Sequence, residues 1–279
     1  MSNIGNGDRK PIGVFDSGFG GLTALRRLRE LAPNENLIYF GDTGRMPYGG
    51  RSSEELHTIG RQDIEFLLDF DVKLILAACG TVSTVALNTL IPNYTVPIFG
   101  VIHPAALQAA QITRTGHICV IATEATIGGG SFQRALAELN PELRVSALAC
   151  PKLVPLVESG RFRPSDPGVM ETLFEYLDRF RGGDMDTLLL GCTHYPLMGG
   201  AIRAFLGVEV NIVGSGEAAA EALVATLAET GQATSVQSPG KCTYYTSGSA
   251  LNFSQTAELI LGESLGGEVL ETEPFPLDN

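Results

Sequence analysis

Two stretches of this chain follow one plan: an apolar run that reads as a buried strand, a cysteine where the run stops, a hydroxyl residue one or two places on, and then a helical pattern. Lys73 to Ala78 leads into Cys79, Gly80 and Thr81, and Asp186 to Gly191 leads into Cys192, Thr193 and a helix near Pro196. Continuous runs of Leu, Ile and Val mark strands buried on both faces, and such strands belong to parallel sheets covered by helices. Ligands of these sheets bind beyond the carboxyl ends of the strands, beside helix amino termini whose free N–H groups and dipole favour anions. Both thiols therefore stand where a parallel α/β protein does its chemistry.

The rest of the chain keeps the alternation. Ile12 to Asp16 reads as a strand, Ser17 to Gly21 as a glycine-rich turn, and Leu22, Leu25, Leu28 and Leu31 as one face of a helix; Leu37 to Phe40 is the next strand, ending at Gly41-Asp42. The turn invites a dinucleotide reading, but Thr23 stands where that fingerprint wants its third glycine. Ser52 or Ser53 with Glu55 starts a helix to about Asp69, a further helix is expected from Thr81 to Leu90, and Val96 to Val101 forms a strand closed by His103-Pro104. A second region repeats the pattern, with strands His117 to Ala122, Arg144 to Ala149, the Cys192 run and Val208 to Val213, and with Thr123 to Gly130 as a turn. A linker from Gly231 to Gly240, a late strand from Lys241 to Thr246 and an acidic tail beyond Gly266, ordered in part at best, complete the chain. The expected fold is α/β: two similar doubly wound, mostly parallel-sheet domains facing each other across a cleft, with Cys79 on one wall and Cys192 on the other.

Charge and cysteine usage exclude several classes. With 31 acidic and 19 basic residues, the net charge of −12 supplies no basic stripe for nucleic acid or anionic membrane. The polar lead-in, Met1 to Pro11, lacks a hydrophobic signal core, and no apolar run nears the roughly 20 residues of a membrane span. Five cysteines without a CxxC pair read as reduced thiols in a cytoplasmic chain that acts on small molecules. Cys119, Cys150 and Cys242 read as packing, and His57, His103 and His117 as structural or surface groups.

Paired thiols can ligate a metal, cycle through a disulfide, or transfer a proton as two bases. Zinc asks for about four Cys or His ligands, and only His194 lies close in sequence to either thiol, so no metal is expected. Redox pairs favour CxxC. Two-base transfer needs a thiolate and a thiol on opposite faces of a carbon, and polar groups that hold a small substrate between them. Ser17, Thr81, Thr123, Thr126 and Thr193 offer hydroxyls for carboxylates, while Asp16, Asp42, Glu158 and His194 can meet an ammonium or assist the thiols. Asp16 could equally cap its helix, and Thr123 or Thr126 complete a turn.

Taken together, Asp16-Ser17-Gly18-x-Gly20-Gly21-Leu22-Thr23, Gly41-Asp42 with Arg45-x-Pro47-Tyr48-Gly49, Ala78-Cys79-x-Thr81, the Thr123 and Thr126 turn, Cys150-Pro151 with Glu158, and Gly191 to Leu197 resemble the glutamate racemases, from about Pro11 to Glu217. The resemblance implies a cofactor-independent enzyme that interconverts L- and D-glutamate for peptidoglycan synthesis, with Cys79 and Cys192 as the two bases. It implies that Asp16 and His194 each assist one thiol, that Glu158 is a further polar partner, and that Ser17, Asp42, Pro47, Tyr48, Gly49, Gly80, Thr81, Thr123, Thr126 and Thr193 meet the substrate. It also implies a homodimer and a discontinuous first domain, residues 1–103 with 212–279, around a second at 104–211. One position departs: the family's Cys-Asn-Thr is here Cys79-Gly80-Thr81. Backbone N–H groups of Gly80 or Thr81, with a water or Ser83, are expected to replace the lost amide, so that Gly80→Asn shifts KM by less than about tenfold. A racemase of aspartate or another acidic amino acid stays open, since one methylene is worth only about 1–3 kcal/mol, as does a ligand-binding regulator that has lost turnover.

Overall fold

The structure, a computed structural model, describes residues 9–273 and 275; residues 1–8 of the polar lead-in and residues 274 and 276–279 of the acidic tail lie outside the described residues. β1 (Ile12–Asp16) is buried throughout, and after the glycine turn α1 (Leu22–Leu31) buries Leu22, Leu25 and Leu28 before β2 (Leu37–Gly41). α2 (Ser53–Leu68) starts at a capping box, in which Ser52 accepts from the Glu55 N–H and the Glu55 carboxylate accepts from the Ser52 N–H. β3 (Leu74–Ala77) leads to Cys79, which caps α3 (Gly80–Val85); α4 (Leu87–Leu90), β4 (Ile98–Gly100) and α5 (Ile102–Ile112) follow. The single helix expected over 81–90 is two, divided at Ala86 where φ widens to −116°. The strand expected to close at His103-Pro104 stops at Gly100, and Pro104 sits in the first turn of α5, where a missing N–H sacrifices no helical bond.

The second half runs β5 (His117–Ala122), α6 (Glu124–Gly129), α7 (Ser131–Leu139), β6 (Arg144–Ala149), α8 (Leu153–Glu158), α9 (Val169–Leu177), β7 (Thr187–Leu190), α10 (Gly199–Leu206) and β8 (Asn211–Gly214). Thr123 caps α6 by accepting from the Thr126 N–H, so the expected turn is a short helix; Gly130, at φ 66°, ends it in the left-handed region that glycine tolerates. The chain closes with α11 (Ser215–Glu229), β9 (Cys242–Thr246), α12 (Ala250–Leu261) and β10 (Val269–Glu271). Neither α12 nor β10 was expected: the tail pairs Val269 to Glu271 with Tyr244 to Thr246.

Among the described residues the strands form two all-parallel sheets, ordered β10-β9-β2-β1-β3-β4 and β6-β5-β7-β8. Period-2 alternation supplies a core on each face. In the larger sheet Ile12, Val14, Leu74 and Leu76 pack with Leu25, Leu223 and Phe253 from α1, α11 and α12, whereas Phe15, Ile75 and Phe40 pack with Ile59, Leu67 and Val82 from α2 and α3. The smaller sheet is likewise covered by α8, α9 and α10 on one face and by α5 and α7 on the other. Each buried Leu, Ile or Phe is worth about 1.5–3 kcal/mol relative to exposure, and such residues line all four faces. α11 packs on both α1 and α5 and so joins the two units. β8 pairs with β7, so the chain leaves the smaller sheet only after Gly214.

The strand orders position the site. In the larger sheet β2 and β3 leave β1 in opposite directions, which opens a crevice between β1 and β3; in the smaller, β6 and β7 do the same around β5. Parallel α/β proteins bind ligands at these switch points. Asp16 and Cys79 stand at the carboxyl end of the first crevice, Thr123 and Cys192 at that of the second. No helix among the described residues is long and apolar enough to cross a membrane.

Candidate active site

One cavity of about 250 Å³ lies between the two carboxyl edges, a size suited to a small amino acid. Cys79, Asp16 and Ser17 line it from the first unit and Cys192, Thr193, His194 and Glu158 from the second. Pro47, Tyr48 and Gly49 reach it on the loop after β2, and Gly80, Thr81, Thr123 and Thr126 from the starts of α3 and α6. Of the residues expected to meet the substrate or the thiols, Asp42 is absent from the lining, and so is Ser83, offered as a stand-in for the lost amide, whose hydroxyl donates instead to the Ala77 carbonyl. Met46, Glu124, Val154, Pro155 and Gly191 join it unforeseen, the α8 pair because nothing in an apolar helix face announces which side a cavity occupies.

The Cys79 thiol is nearly enclosed, at 5% exposure. Burial pushes it up to about 12, and the negative charge of Asp16 pushes the same way, while the N–H groups of Val82 and Thr81 at the start of α3 oppose. This side of the cavity holds its proton. Asp16 itself is fully buried and accepts from the Gly18 N–H at 3.1 Å and from the Thr193 hydroxyl at 3.3 Å, so one carboxylate touches both units. Thr23 contributes another crossing, its hydroxyl lying 3.2 Å from the Thr193 carbonyl.

Cys192 has different company. Its Sγ stands 3.7 Å from His194 Nδ1, and the far nitrogen of the ring, Nε2, stands 3.2 Å from Glu158 Oε1. That second pair has ion-pair distance without hydrogen-bond alignment, and neither atom has another partner. Burial alone would lower the imidazole; Cys192 first and then Glu158 overcome it and raise the ring to about 10. An imidazolium facing a sulfur stabilises the thiolate, which is the nucleophilic and basic form.

Three hydroxyls bridge the mouth: Thr81 to Thr123 at 3.2 Å and Thr123 to Thr126 at 2.9 Å. None of the lining residues is Lys or Arg, so an anionic ligand must be held by hydroxyls, by the N–H groups at the starts of α3 and α6, and by the imidazolium.

Two expectations need correcting. Asp42, placed among the substrate-contacting residues, lies one layer behind: its carboxylate takes the Tyr48 hydroxyl, Arg45 Nε at 2.6 Å and the Ser247 hydroxyl at 2.5 Å. Asp63, on α2, completes that cluster, its Oδ2 2.9 Å from the Tyr48 hydroxyl and its Oδ1 accepting from Arg45 Nη2 at 2.8 Å. Burial, then the charge of Asp42, drives the Asp63 carboxyl well up against the pull of Arg45. Asp63 lies 15 places beyond Tyr48 and 18 beyond Arg45 and meets them from α2; its sequence context, Gln62-Asp63-Ile64, carries no signal. The second correction is Gly80. A Cβ there would stand 2.4 Å from the Gly191 carbonyl oxygen, where no side-chain carbon fits, so Gly80→Asn is not the mild change expected. His117, read as a structural or surface group, lies between Asp184 Oδ1 and the Ser146 hydroxyl, each at 3.0 Å, outside the cavity lining.

A sequence profile of the Asp/Glu/Hydantoin racemase family matches residues 26–223. A glutamate racemase of Syntrophus aciditrophicus strain SB is 42% identical over 257 residues, 92% of this chain and 94% of that protein. Among solved structures, a glutamate racemase isoform of Bacillus anthracis is 36% identical with a TM-score of 0.89, covering 96% of this chain and all of that one. A glutamate racemase of Francisella tularensis, solved in complex with D-glutamate, is 31% identical with a TM-score of 0.85 over 97% of this chain and 99% of its own.

Proposed function

The chain belongs to the Asp/Glu/Hydantoin racemase family, and from that premise we propose that it interconverts L- and D-glutamate by passing the α-proton between Cys79 and Cys192. It is an isomerase of the amino-acid racemase kind. One observation carries the mechanism: two thiols at the switch points of two sheets line a single cavity, one held protonated by burial and the other beside an imidazolium. Cys192 as thiolate takes the α-proton of one enantiomer. The C–H electron pair moves into the α-carboxylate, and Cys79 gives its thiol proton to the opposite face, leaving a Cys192 thiol and a Cys79 thiolate. The other enantiomer runs the same steps backwards. No cofactor takes part.

In this reading His194 supports Cys192, Glu158 supports His194, and Asp16 lies beside Cys79 and meets the substrate ammonium. Ser17, Gly49, Thr81, Thr123, Thr126 and Thr193 hold the carboxylates, with the backbone at Gly80, while Pro47 and Tyr48 wall the pocket and Asp42 acts through Tyr48. We also assign the enzyme to the supply of D-glutamate for peptidoglycan, in the cytoplasm and as a homodimer, with the chain divided as 1–103 plus the return segment around 104–211. The pairing of β8 with β7 favours a return after Gly214 over one at 212.

Incubation with each enantiomer of glutamate and of aspartate in heavy water, following optical rotation and α-proton loss, tests the function. Glutamate is expected to lose its α-proton and rotation together, and aspartate to lag by about tenfold or more. Inert glutamate of both hands would leave a binding protein; faster turnover of aspartate would move the substrate. Sedimentation tests the dimer.

A further inference from the structure

The loop that brings Pro47, Tyr48 and Gly49 to the cavity is held from behind by Arg45, whose side chain is only 5% exposed. Its guanidinium donates from Nε to Asp42, from Nη1 to Gln62 Oε1 and from Nη2 to Asp63. Guanidinium N–H bonds lie in one plane, so these partners ring the edge of the group and leave its flat faces without a hydrogen bond. A residue from the far end of the fold covers one face: Arg45 Cζ stands 5.4 Å from the centre of the Phe275 ring. Phe275 is set edge-on to Phe40 of β2 at 6.1 Å and to Phe66 of α2 at 5.9 Å. The segment before it is tied to β9, where the Thr272 N–H donates to the Thr246 carbonyl at 2.8 Å. Phe66 follows Asp63 by three places, so one face of α2 offers a carboxylate to the edge of the guanidinium and a ring to the aromatic that lies over it.

We infer that Phe275 is a positioning residue for the substrate loop: its ring seals the Arg45 cluster against water, and the cluster in turn holds Tyr48 in the cavity wall. This rests on the proposed function, in which that wall belongs to the glutamate pocket. A cation is drawn to the face of an aromatic ring, and more strongly where water is kept out. Opposite charges also hold one another more tightly in a dry site, so removing the ring weakens the contacts of Arg45 with Asp42, Gln62 and Asp63 together. Tyr48 meets the same two carboxylates and loosens with them.

The test compares Phe275→Ala and Phe275→Leu, which remove the ring, with Phe275→Tyr, which keeps it. Native-state hydrogen exchange, resolved by NMR, reads the loop directly. The N–H groups of Gly44 and Arg45, bonded to the Ser247 hydroxyl and the Asp42 carbonyl, should exchange about fivefold faster in the Ala and Leu variants, the effect of one lost cation–π contact. The Ser83 N–H, bonded to the Cys79 carbonyl in α3, should keep its wild-type rate. KM for glutamate should rise by a similar factor with kcat held within about twofold, because Tyr48 shapes the pocket and carries no proton between the thiols. Phe275→Tyr should match the wild type in both. Loop amides at their wild-type rate in Phe275→Ala overturn the inference, as do Gly44, Arg45 and Ser83 quickening alike, a fall in kcat with KM unmoved, or a Phe275→Leu protein indistinguishable from Phe275→Tyr. Wild-type protein inert towards glutamate, with the selective quickening still present in Phe275→Ala, refutes the function and keeps the seal.

Discussion

The two walls of the cavity share a fold and differ in chemistry. Each is a central strand at the switch point of a parallel sheet, a cysteine just beyond it and a short helical turn. On the first wall the turn is α3 itself, the neighbouring charge is the Asp16 carboxylate, and burial lifts the thiol to about 12. On the second, Thr193 and His194 intervene before the turn, and the ring is held at about 10 beside the sulfur. A repeated scaffold thus puts two thiols in equivalent places, and the two residues that follow Cys192 set an imidazolium, where the first wall has a carboxylate, beside the second sulfur. A two-base reaction needs that inequality, since an acid and a base must coexist at one pH.

Removing either thiol breaks the comparison most severely. Cys79→Ala and Cys192→Ala should each lower racemisation by about 10⁴-fold, the upper range for a general acid or base, measured polarimetrically. Cys→Ser at each position should preserve exchange of one enantiomer only, and opposite enantiomers for the two variants. Near-normal racemisation by either alanine variant would end the two-thiol assignment.

Removing the cation should make the walls alike. His194→Gln is expected to lower kcat about 100-fold. Enantiomers have equal free energy, so kcat/KM must stay equal in both directions at every pH, and the inequality of the walls shows only as different kcat values for L- and D-glutamate. His194→Gln should shrink that difference. The ring also links stability to pH: its folded pKa, about 10, lies above the ordinary 6.5, so its stabilisation is full below about pH 6.5 and is lost as the pH rises through about 10. The drop in Tm between pH 7 and pH 10 should be smaller in His194→Gln; an equal drop would place the alkaline transition elsewhere.

Glu158→Gln is a gentler perturbation, because its carboxylate is at ion-pair distance from the ring yet out of line. A loss of about tenfold in kcat is expected, equivalent to 1.4 kcal/mol, with the His194 titration, followed by NMR, moving down. An unmoved titration would make Glu158 a bystander. The smallest effect belongs to Asp63→Asn. Its carboxyl is driven well up beside Asp42, and the amide imitates the neutral acid. Activity should stay within about threefold, or roughly 0.7 kcal/mol. Asp63→Ala, which strips Arg45 of a buried partner, should destabilise by about 3 kcal/mol in urea unfolding.

Where local chemistry decides, the sequence was legible. β1, β5 and β6 begin and end where apolar runs and punctuation place them, and the Ser-Ser-x-Glu start places α2 to within one residue at each end. Strand-end logic also located both cysteines, Asp16, His194 and the threonines of the cavity. What escaped depends on partners supplied from afar. β10 is three partly exposed residues that become a strand only because β9 offers an edge. An acid at a strand end, such as Asp42, can face the ligand or the layer behind it, and the choice is made by Arg45, Asp63 and Ser247, of which only Arg45 is near in sequence. At Gly80 the absent amide read as a lost contact, whereas the backbone opposite shows it as space already occupied.

The hydroxyl row of Thr81, Thr123 and Thr126 has one more consequence. Thr123 accepts the Thr126 N–H and has a neighbour on either side, so the row can point its protons from Thr81 towards Thr126 or the reverse. Both arrangements keep every heavy atom still; only hydrogens turn. A row that runs one way offers a lone pair at Thr81 and a proton at Thr126, and running the other way it exchanges them. An enzyme whose substrate and product are mirror images must welcome both hands in one rigid pocket. A reversible row of hydroxyls lets the lining change its donor and acceptor pattern with the hand of its guest, at the speed of a rotating O–H bond.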